Sequence, residues 1–184
     1  GHAADTPNVA FLFPGQGAQR VGMLRDARER FGVLKDTLHE VEDELADLLP
    51  VPLTHLLYPE EREQPVDDET AAAELTHTAH CQPVMFACSL ALGRLLESVG
   101  VKPVVATGHS LGEFNAAVVG GVVDSADAAR FVAARGRAMA GVDGDPGTMA
   151  AIMADRDTVE SLITNGASNA VIANVNHLRQ LVVS

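Results

Sequence analysis

The chain is poor in cysteine, poor in basic residues, and without any long apolar run. It has two cysteines in 184 residues. Cys81 and Cys88 are seven apart, a spacing that supplies no CxxC metal or redox motif, so they read as two buried thiols on one helical face. That usage fits a reducing cytoplasm. Thirteen basic residues stand against 25 acidic ones, for a net charge of −12. This balance excludes a nucleic-acid-binding or anionic-membrane surface. An acidic partner would need a local basic patch, and Arg20, Arg25, Arg28 and Arg30 form the densest group, diluted by Asp26 and Glu29. No apolar stretch reaches the length of a transmembrane helix, and no signal peptide precedes Asn8-Val9-Ala10-Phe11. Gly1-His2 reads as an added remnant rather than native sequence. No internal repeat is visible. His77-Thr78-Ala79-His80-Cys81 offers two histidines and a thiol but no fourth ligand, so no metal is expected.

What is present is apolar character, 47% of residues, enough for one sizeable core with a small appendage. Val9 to Phe13 reads as a short strand ending in the turn Pro14-Gly15-Gln16-Gly17. Gly22 to Phe31 and Val33 to Leu49 have helical spacing, and Pro50 to Asp68 reads as a surface connection. A helix is predicted from Gln82 to Val99, with Pro83 in its first turn and Val84, Cys88, Leu92, Leu95 and Leu96 on the buried face. Val104-Val105-Ala106 looks like a buried strand, followed by a helix from Phe114 to Val123 and another opening at Asp124 or Ser125. After residues 141–147 the texture changes. Strand Met149 to Met153, helix Asp155 to Thr164, and strands Ala170 to Val175 and Leu181 to Val183 suggest a second, smaller unit. The boundaries read as 1–140 and 141–184.

Between the strand and the helix lies Gly108-His109-Ser110-Leu111-Gly112-Glu113. Strand, Gly-x-Ser-x-Gly, helix is the context of a nucleophile elbow, in which a sharp turn lifts a serine hydroxyl above the sheet at a helix N-terminus. Unpaired N–H groups there stabilise an oxyanion. Ser110 is thus a candidate to carry an acyl group covalently. The same residues also fit a Ser-x-x-Glu capping box.

Two further elements narrow the chemistry. An elbow enzyme needs one oxyanion donor after the nucleophile, here the Leu111 N–H, and one from an early strand-to-helix loop. Gln16, bracketed by Gly15 and Gly17, is the candidate for the second. On the helix Ala126 to Ala140, Arg135 falls inside the stripe Ala128, Phe131, Val132, Ala138, Met139, whereas Arg130 and Arg137 read as solvated. A guanidinium on a buried face requires a partner. Either an internal salt bridge, with Glu113, or a bidentate grip on a substrate carboxylate satisfies it.

Phe13-Pro14-Gly15-Gln16-Gly17, Leu75-x-x-Thr78 with Gln82-Pro83, Gly108 to Glu113, Arg135-Gly136-x-x-Met139, Gly147-x-Met149-Ala150-Ala151, and Asn174-x-Asn176 with Gln180 and Ser184 occur in order. Together they resemble the malonyl-CoA:acyl carrier protein transacylases and polyketide synthase acyltransferase domains, over nearly the whole chain. The resemblance implies an α/β fold: an α/β-hydrolase-like large subdomain with a parallel sheet, and a ferredoxin-like small subdomain that is incomplete in this chain. It implies an acyltransferase that passes a malonyl-type group from coenzyme A or a carrier protein to Ser110, then to a phosphopantetheine thiol of an acyl carrier protein. Ser110 is then the nucleophile, with the Gln16 and Leu111 amides as its oxyanion hole. Arg135 holds the acyl carboxylate, and Gln82, Asn176 and His109 are the other substrate-binding candidates. Coenzyme A thioester is a substrate, and no permanently bound cofactor is expected.

The family's catalytic histidine is expected beyond Ser184, so the remainder of the same enzyme is an expected partner. His109 should point away from the nucleophile's target, and His177 is expected at the acyl pocket or its rim rather than as the base. Rival readings are a proofreading acyl hydrolase on the same elbow and a non-catalytic fragment that needs a second polypeptide.

Overall fold

The computed structural model describes residues 8–141, 148–166 and 169–184. Gly1-His2, and Gly147 of the Gly-x-Met-Ala-Ala motif, lie outside the described residues. The chain divides into two compact units, Gly1–Gly141 and Val142–Ser184.

The first unit opens with β1 (Ala10–Phe13), α1 (Arg25–Arg30), α2 (Gly32–Glu44) and the short α3 (Leu53–Leu57). It continues with α4 (Asp68–Thr76), the long α5 (Thr78–Ser98), β2 (Val105–Gly108), α6 (Gly112–Val119) and α7 (Ser125–Ala140). β1 and β2 pair in parallel, with Phe13 opposite Gly108, so both strands deliver their C-terminal loops to the same edge. Phe11 and Phe13 alternate into the core, while Leu12 and Val105 are 74% and 54% exposed on the other face. The Val104 to Ala106 strand is therefore not buried as its apolar composition suggested. Its strand partner is β1 alone among the described residues, and one face of the pair carries no covering layer.

α5 is the central helix. Residues Cys81 to Ala91 are buried on every side rather than on one face, because α2, α3, α4, α6 and α7 all pack around it. It begins at Thr78, four residues before the expected start, so Pro83 stands inside the helix instead of in its first turn. Leu92 and Leu96, expected in the buried face, are substantially exposed.

The largest departure is residues 50–68. Proline and charge read there as surface, yet Leu53, Leu56, Leu57 and Tyr58 are fully buried with Leu38 and Val41 of α2, Leu45 just after it, and the α5 core. Glu42 fastens this segment, accepting hydrogen bonds from the Thr54 backbone N–H at 2.6 Å and its hydroxyl at 2.7 Å. The Tyr58 hydroxyl donates to the Met23 carbonyl, and the Arg28 guanidinium lies 3.6 Å from the centre of its ring. Arg28 also pairs with Glu61, and Arg25 with Glu60, so two of the four arginines of the expected basic patch are compensated. Arg130, expected to be solvated, reaches Glu44 and Asp47, and Arg137 donates to the Leu48 carbonyl.

α7 starts where the sequence indicated. The Asp124 carboxylate accepts from the Asp127 N–H, capping the helix, and that bond holds its carboxyl below the usual range.

Burial pushes the Cys88 thiol from its ordinary value near 9 up to about 12. Burial likewise pushes Tyr58 from 10 to about 12. The folded protein keeps these protons where the unfolded chain has released them, so stability falls as pH rises between about 9 and 12. Cys88→Ala is expected to flatten that alkaline slope, read as urea midpoints at about pH 8 and about pH 10.5. An unchanged slope contradicts the assignment.

The second unit holds β3 (Ala150–Ile152), α8 (Arg156–Gly166), β4 (Ile172–His177) and β5 (Gln180–Val183). Its sheet order is β3-β5-β4, antiparallel throughout. β3 and β4 flank β5 and are joined through α8, which is the first β-α-β-β portion of a ferredoxin-like split βαβ arrangement. Asp155 caps α8 through the Thr158 N–H.

Candidate active site

The site is built where β1 and β2 end. The His109 N–H donates to the Phe13 carbonyl at 3.1 Å, extending the strand pairing one step beyond Gly108. The chain then turns sharply. Ser110 has φ of +53°, a left-handed conformation that a non-glycine residue adopts only under constraint. The Gly112 N–H donates back to the His109 carbonyl and the Glu113 N–H to that of Ser110, at 3.0 and 3.2 Å, starting α6 at once.

Two glycines make this turn possible. A Cβ on Gly108 would lie 2.0 Å from the Gly112 carbonyl carbon, and one on Gly112 would lie 2.2 Å from the Phe13 oxygen. Backbone crosses backbone with no room for a side chain. The glutamine loop also packs here, since the Gly15 α-carbon faces the His109 carbonyl and ring.

The Glu113 side chain accepts from the Ser110 N–H at 3.2 Å, which is one half of a capping box. The other half is absent, because the Ser110 hydroxyl is engaged elsewhere: Arg135 Nη2 donates to it at 3.0 Å. Glu113 is not the ion-pair partner of Arg135. The second arm of that fork, Nη1, donates to Gln82 Oε1 at 2.6 Å. Arg135 is half-buried rather than buried, and the stripe expected around it is only partly inside. Ala128 and Val132 are buried, but Ala138 is exposed, and Phe131 and Met139 are 58% and 51% exposed. Ala133 and Gly136 take their place against α5. Phe131 instead lies against Phe114 of α6, ring centres 5.1 Å apart.

The Gln16 side chain donates to the Thr78 hydroxyl at 3.3 Å, tying the glutamine loop to the first residue of α5. Among the described residues, neither the Gln16 N–H nor the Leu111 N–H has a protein acceptor. Two unused backbone donors on the loops beside a serine hydroxyl are what an oxyanion hole requires. Cys81 lies beneath the same loop, and burial pushes its thiol up to about 11.

Ser110, Leu111, Gln82 and Arg135 are thus brought together in the first unit, with Gln16 on the adjoining loop. His109 is exposed and lies over Gly15. Asn176 belongs to β4 of the second unit, where its Oδ1 accepts from Asn174 Nδ2 at 2.8 Å. His177 ends the same strand, and its Nδ1 accepts from the Arg179 N–H. Among the described residues, no group of three histidine, cysteine or acidic side chains could hold a metal, and no helix is long and apolar enough to cross a membrane. His80 instead places Nδ1 2.9 Å from the Glu74 carbonyl oxygen. The Gln82–Arg135 contact is a feature that spacing had not revealed.

Residues 10–184 match the family described as the acyl transferase domain. The chain belongs to this family. It is 42% identical over its whole length to polyketide synthase GfsB of Streptomyces halstedii, of which it covers 3%. It is 36% identical to the malonyl CoA-acyl carrier protein transacylase of Escherichia coli K12, with 91% of this chain covering 50% of that protein. Among solved structures it resembles a malonyl-transacylase in complex with a type II polyketide synthase acyl carrier protein. That match has a TM-score of 0.80 and 32% identity, over 96% of this chain and 54% of the other. The fold of this acyl transferase chain is accordingly mixed α/β, a parallel sheet with a small antiparallel one. The chain spans about half the length of the transacylase it matches.

Proposed function

We propose that the domain containing this chain moves a malonyl-type acyl group from coenzyme A, or from a carrier protein, to the phosphopantetheine thiol of an acyl carrier protein. The setting is polyketide or fatty acid biosynthesis in the cytoplasm, where buried thiols such as Cys81 and Cys88 stay reduced. One observation carries this reading: an arginine with no carboxylate partner among the described residues donates to the hydroxyl of an elbow serine.

In the first half-reaction the Ser110 oxygen attacks the thioester carbonyl. A carbon–oxygen bond forms, the carbon–sulfur bond breaks, and coenzyme A leaves with the proton that Ser110 gives up. The negative charge that develops on the carbonyl oxygen falls to the Gln16 and Leu111 N–H groups. Arg135 holds the free carboxylate of the acyl group, turning away from the serine hydroxyl as it does so. In the second half-reaction the carrier thiol attacks the Ser110 ester and the serine regains its proton. The general base is assigned to the part of the domain beyond this chain. His109 is assigned to the edge of the acyl pocket. The same remainder is the proposed cover for the open face of β1 and β2, where Leu12 and Val105 are exposed.

The test is incubation of the full domain with malonyl-CoA, followed by intact-mass and peptide mapping. A malonyl adduct on Ser110 that is discharged by acyl carrier protein supports transfer. Rapid loss to water supports a hydrolase, and absence of any adduct refutes covalent catalysis. Arg135→Ala is expected to lower malonyl loading about 10- to 100-fold more than acetyl loading, the size of a charged hydrogen-bonded pair. Equal losses would remove the carboxylate-binding role.

A further inference from the structure

We infer that Gln82 is a positioning residue for Arg135, and that its being an amide rather than a carboxylate keeps the site open to a carboxylated acyl group. The inference rests on the proposed reaction but concerns how the arginine is held rather than whether the reaction occurs.

Gln82 is 1% exposed, so its amide must find partners inside the protein. It finds two, both on α7. Oε1 accepts from Arg135 at 2.6 Å, and Nε2 donates to the Met139 sulfur at 3.2 Å. Arg135 and Met139 are four residues apart and stand on one face of that helix. The pair of contacts fixes which way the amide faces. Rotated by half a turn, it would point N–H groups at a guanidinium, which has only donors, and its oxygen at a thioether, which has none.

The electrostatic consequence is specific. Elsewhere in the unit, Arg25, Arg28, Arg62, Arg94 and Arg130 each hold a carboxylate. Arg135 has no such partner among the described residues; its contacts are a neutral amide oxygen and a neutral hydroxyl. An amide oxygen orients the guanidinium as a carboxylate would, but leaves its charge uncompensated. A glutamate in its place would form an ion pair at the same distance and compete directly with a substrate carboxylate.

Gly136 makes this contact possible. A Cβ there would lie 3.0 Å from the Thr78 carbonyl oxygen and 3.2 Å from the Ala79 α-carbon. The backbone of α7 therefore rests on the first turn of α5 at the point where Arg135 must reach across to Gln82. A larger residue at 136 would part the helices and lengthen the Arg135–Gln82 bond.

The test compares wild type, Gln82→Glu and Gln82→Met in the full domain, with malonyl-CoA and acetyl-CoA as probes. Gln82→Glu is expected to raise KM for malonyl-CoA at least tenfold with a smaller change in kcat, cutting the malonyl-to-acetyl ratio of kcat/KM tenfold or more. Gln82→Met, similar in volume but without an acceptor, is expected to lower the same ratio less. Arginine side-chain 15N NMR gives a readout independent of turnover. The Arg135 Nη signals, assigned by their loss in Arg135→Lys, should be resolved in wild type and averaged in Gln82→Met. A ratio unchanged in folded Gln82→Glu overturns the inference, and so do Nη signals unchanged in Gln82→Met. Should wild type load no malonyl group, the proposed reaction fails, and the Nη signals alone decide the role of Gln82.

Discussion

Replacement of Ser110 by alanine is expected to eliminate the acyl-enzyme and lower transfer to carrier protein by at least about a thousandfold. Three features require this oxygen at this point. The backbone of Ser110 sits at φ +53° because Gly108 and Gly112 pack with no space between them, so the hydroxyl is carried on a turn that allows it little latitude. The residue after it is the N-cap of α6, and the Leu111 N–H has no protein acceptor among the described residues. Arg135 already touches the oxygen at 3.0 Å, so the proposed nucleophile and the proposed carboxylate-binding group are within one hydrogen bond of each other. Alanine keeps the turn and the amides but removes the atom that forms the ester. Intact mass after malonyl-CoA treatment should therefore show no adduct, while the melting temperature stays near wild type. An adduct surviving in Ser110→Ala would move the nucleophile elsewhere, and a large fall in melting temperature would give the hydroxyl a structural role instead.

The elbow was legible in the sequence because its geometry is local. Gly108, Ser110 and Gly112 lie within five residues, and the constraint on each comes from the others and from Phe13. The glutamine loop was legible for the same reason. Residues 50–68 depart from the surface connection their composition suggests, because composition is a weak guide to burial when the partners are distant. Leu53, Leu56 and Leu57 carry helical i, i+3, i+4 spacing, a signal that Pro50, Pro52 and Pro59 obscured. Their burial is set by Leu38, Val41 and Phe86, which no local window contains. Helical spacing puts Arg135 on the correct helix and leaves it two possible partners. Spacing could not choose between Glu113 and an open site, because Glu113 is held by the Ser110 N–H, a tertiary outcome of the elbow itself. Resemblance puts Gln82 near the pocket, but its grip on Arg135 depends on the closeness of α5 and α7. Gly136 is the sequence trace of that closeness, and a glycine inside a helix beside Arg135 is a signal that could have found it.

Gly108→Ala is expected to be among the most destabilising single-methyl additions in the first unit. The added Cβ would lie 2.0 Å from the Gly112 carbonyl carbon, 2.1 Å from its oxygen and 2.4 Å from the Glu113 nitrogen. All three are backbone atoms at the start of α6, so no side chain can swing aside to relieve the contact. Relief requires moving α6 away from β2, which breaks the register that carries the His109 N–H to the Phe13 carbonyl. Overpacking that forces backbone shifts costs on the order of 3 kcal/mol, at the upper end for such changes. In a domain of 150 to 250 residues that corresponds to a fall in Tm of roughly 6 to 12 °C. Gly166→Ala supplies the contrast, since a Cβ there meets nothing within 4 Å and should leave stability within about 1 kcal/mol of wild type. Acyl loading should fall further in Gly108→Ala than loss of folded protein explains, because the same movement displaces Ser110 from Arg135 and from the Leu111 N–H. The measurement is the malonyl loading rate per folded molecule, with the folded fraction taken from the thermal transition. A Gly108→Ala protein that melts with wild type and loads at the wild-type rate would show that the elbow tolerates a side chain there, and the steric basis for placing Ser110 would fall with it.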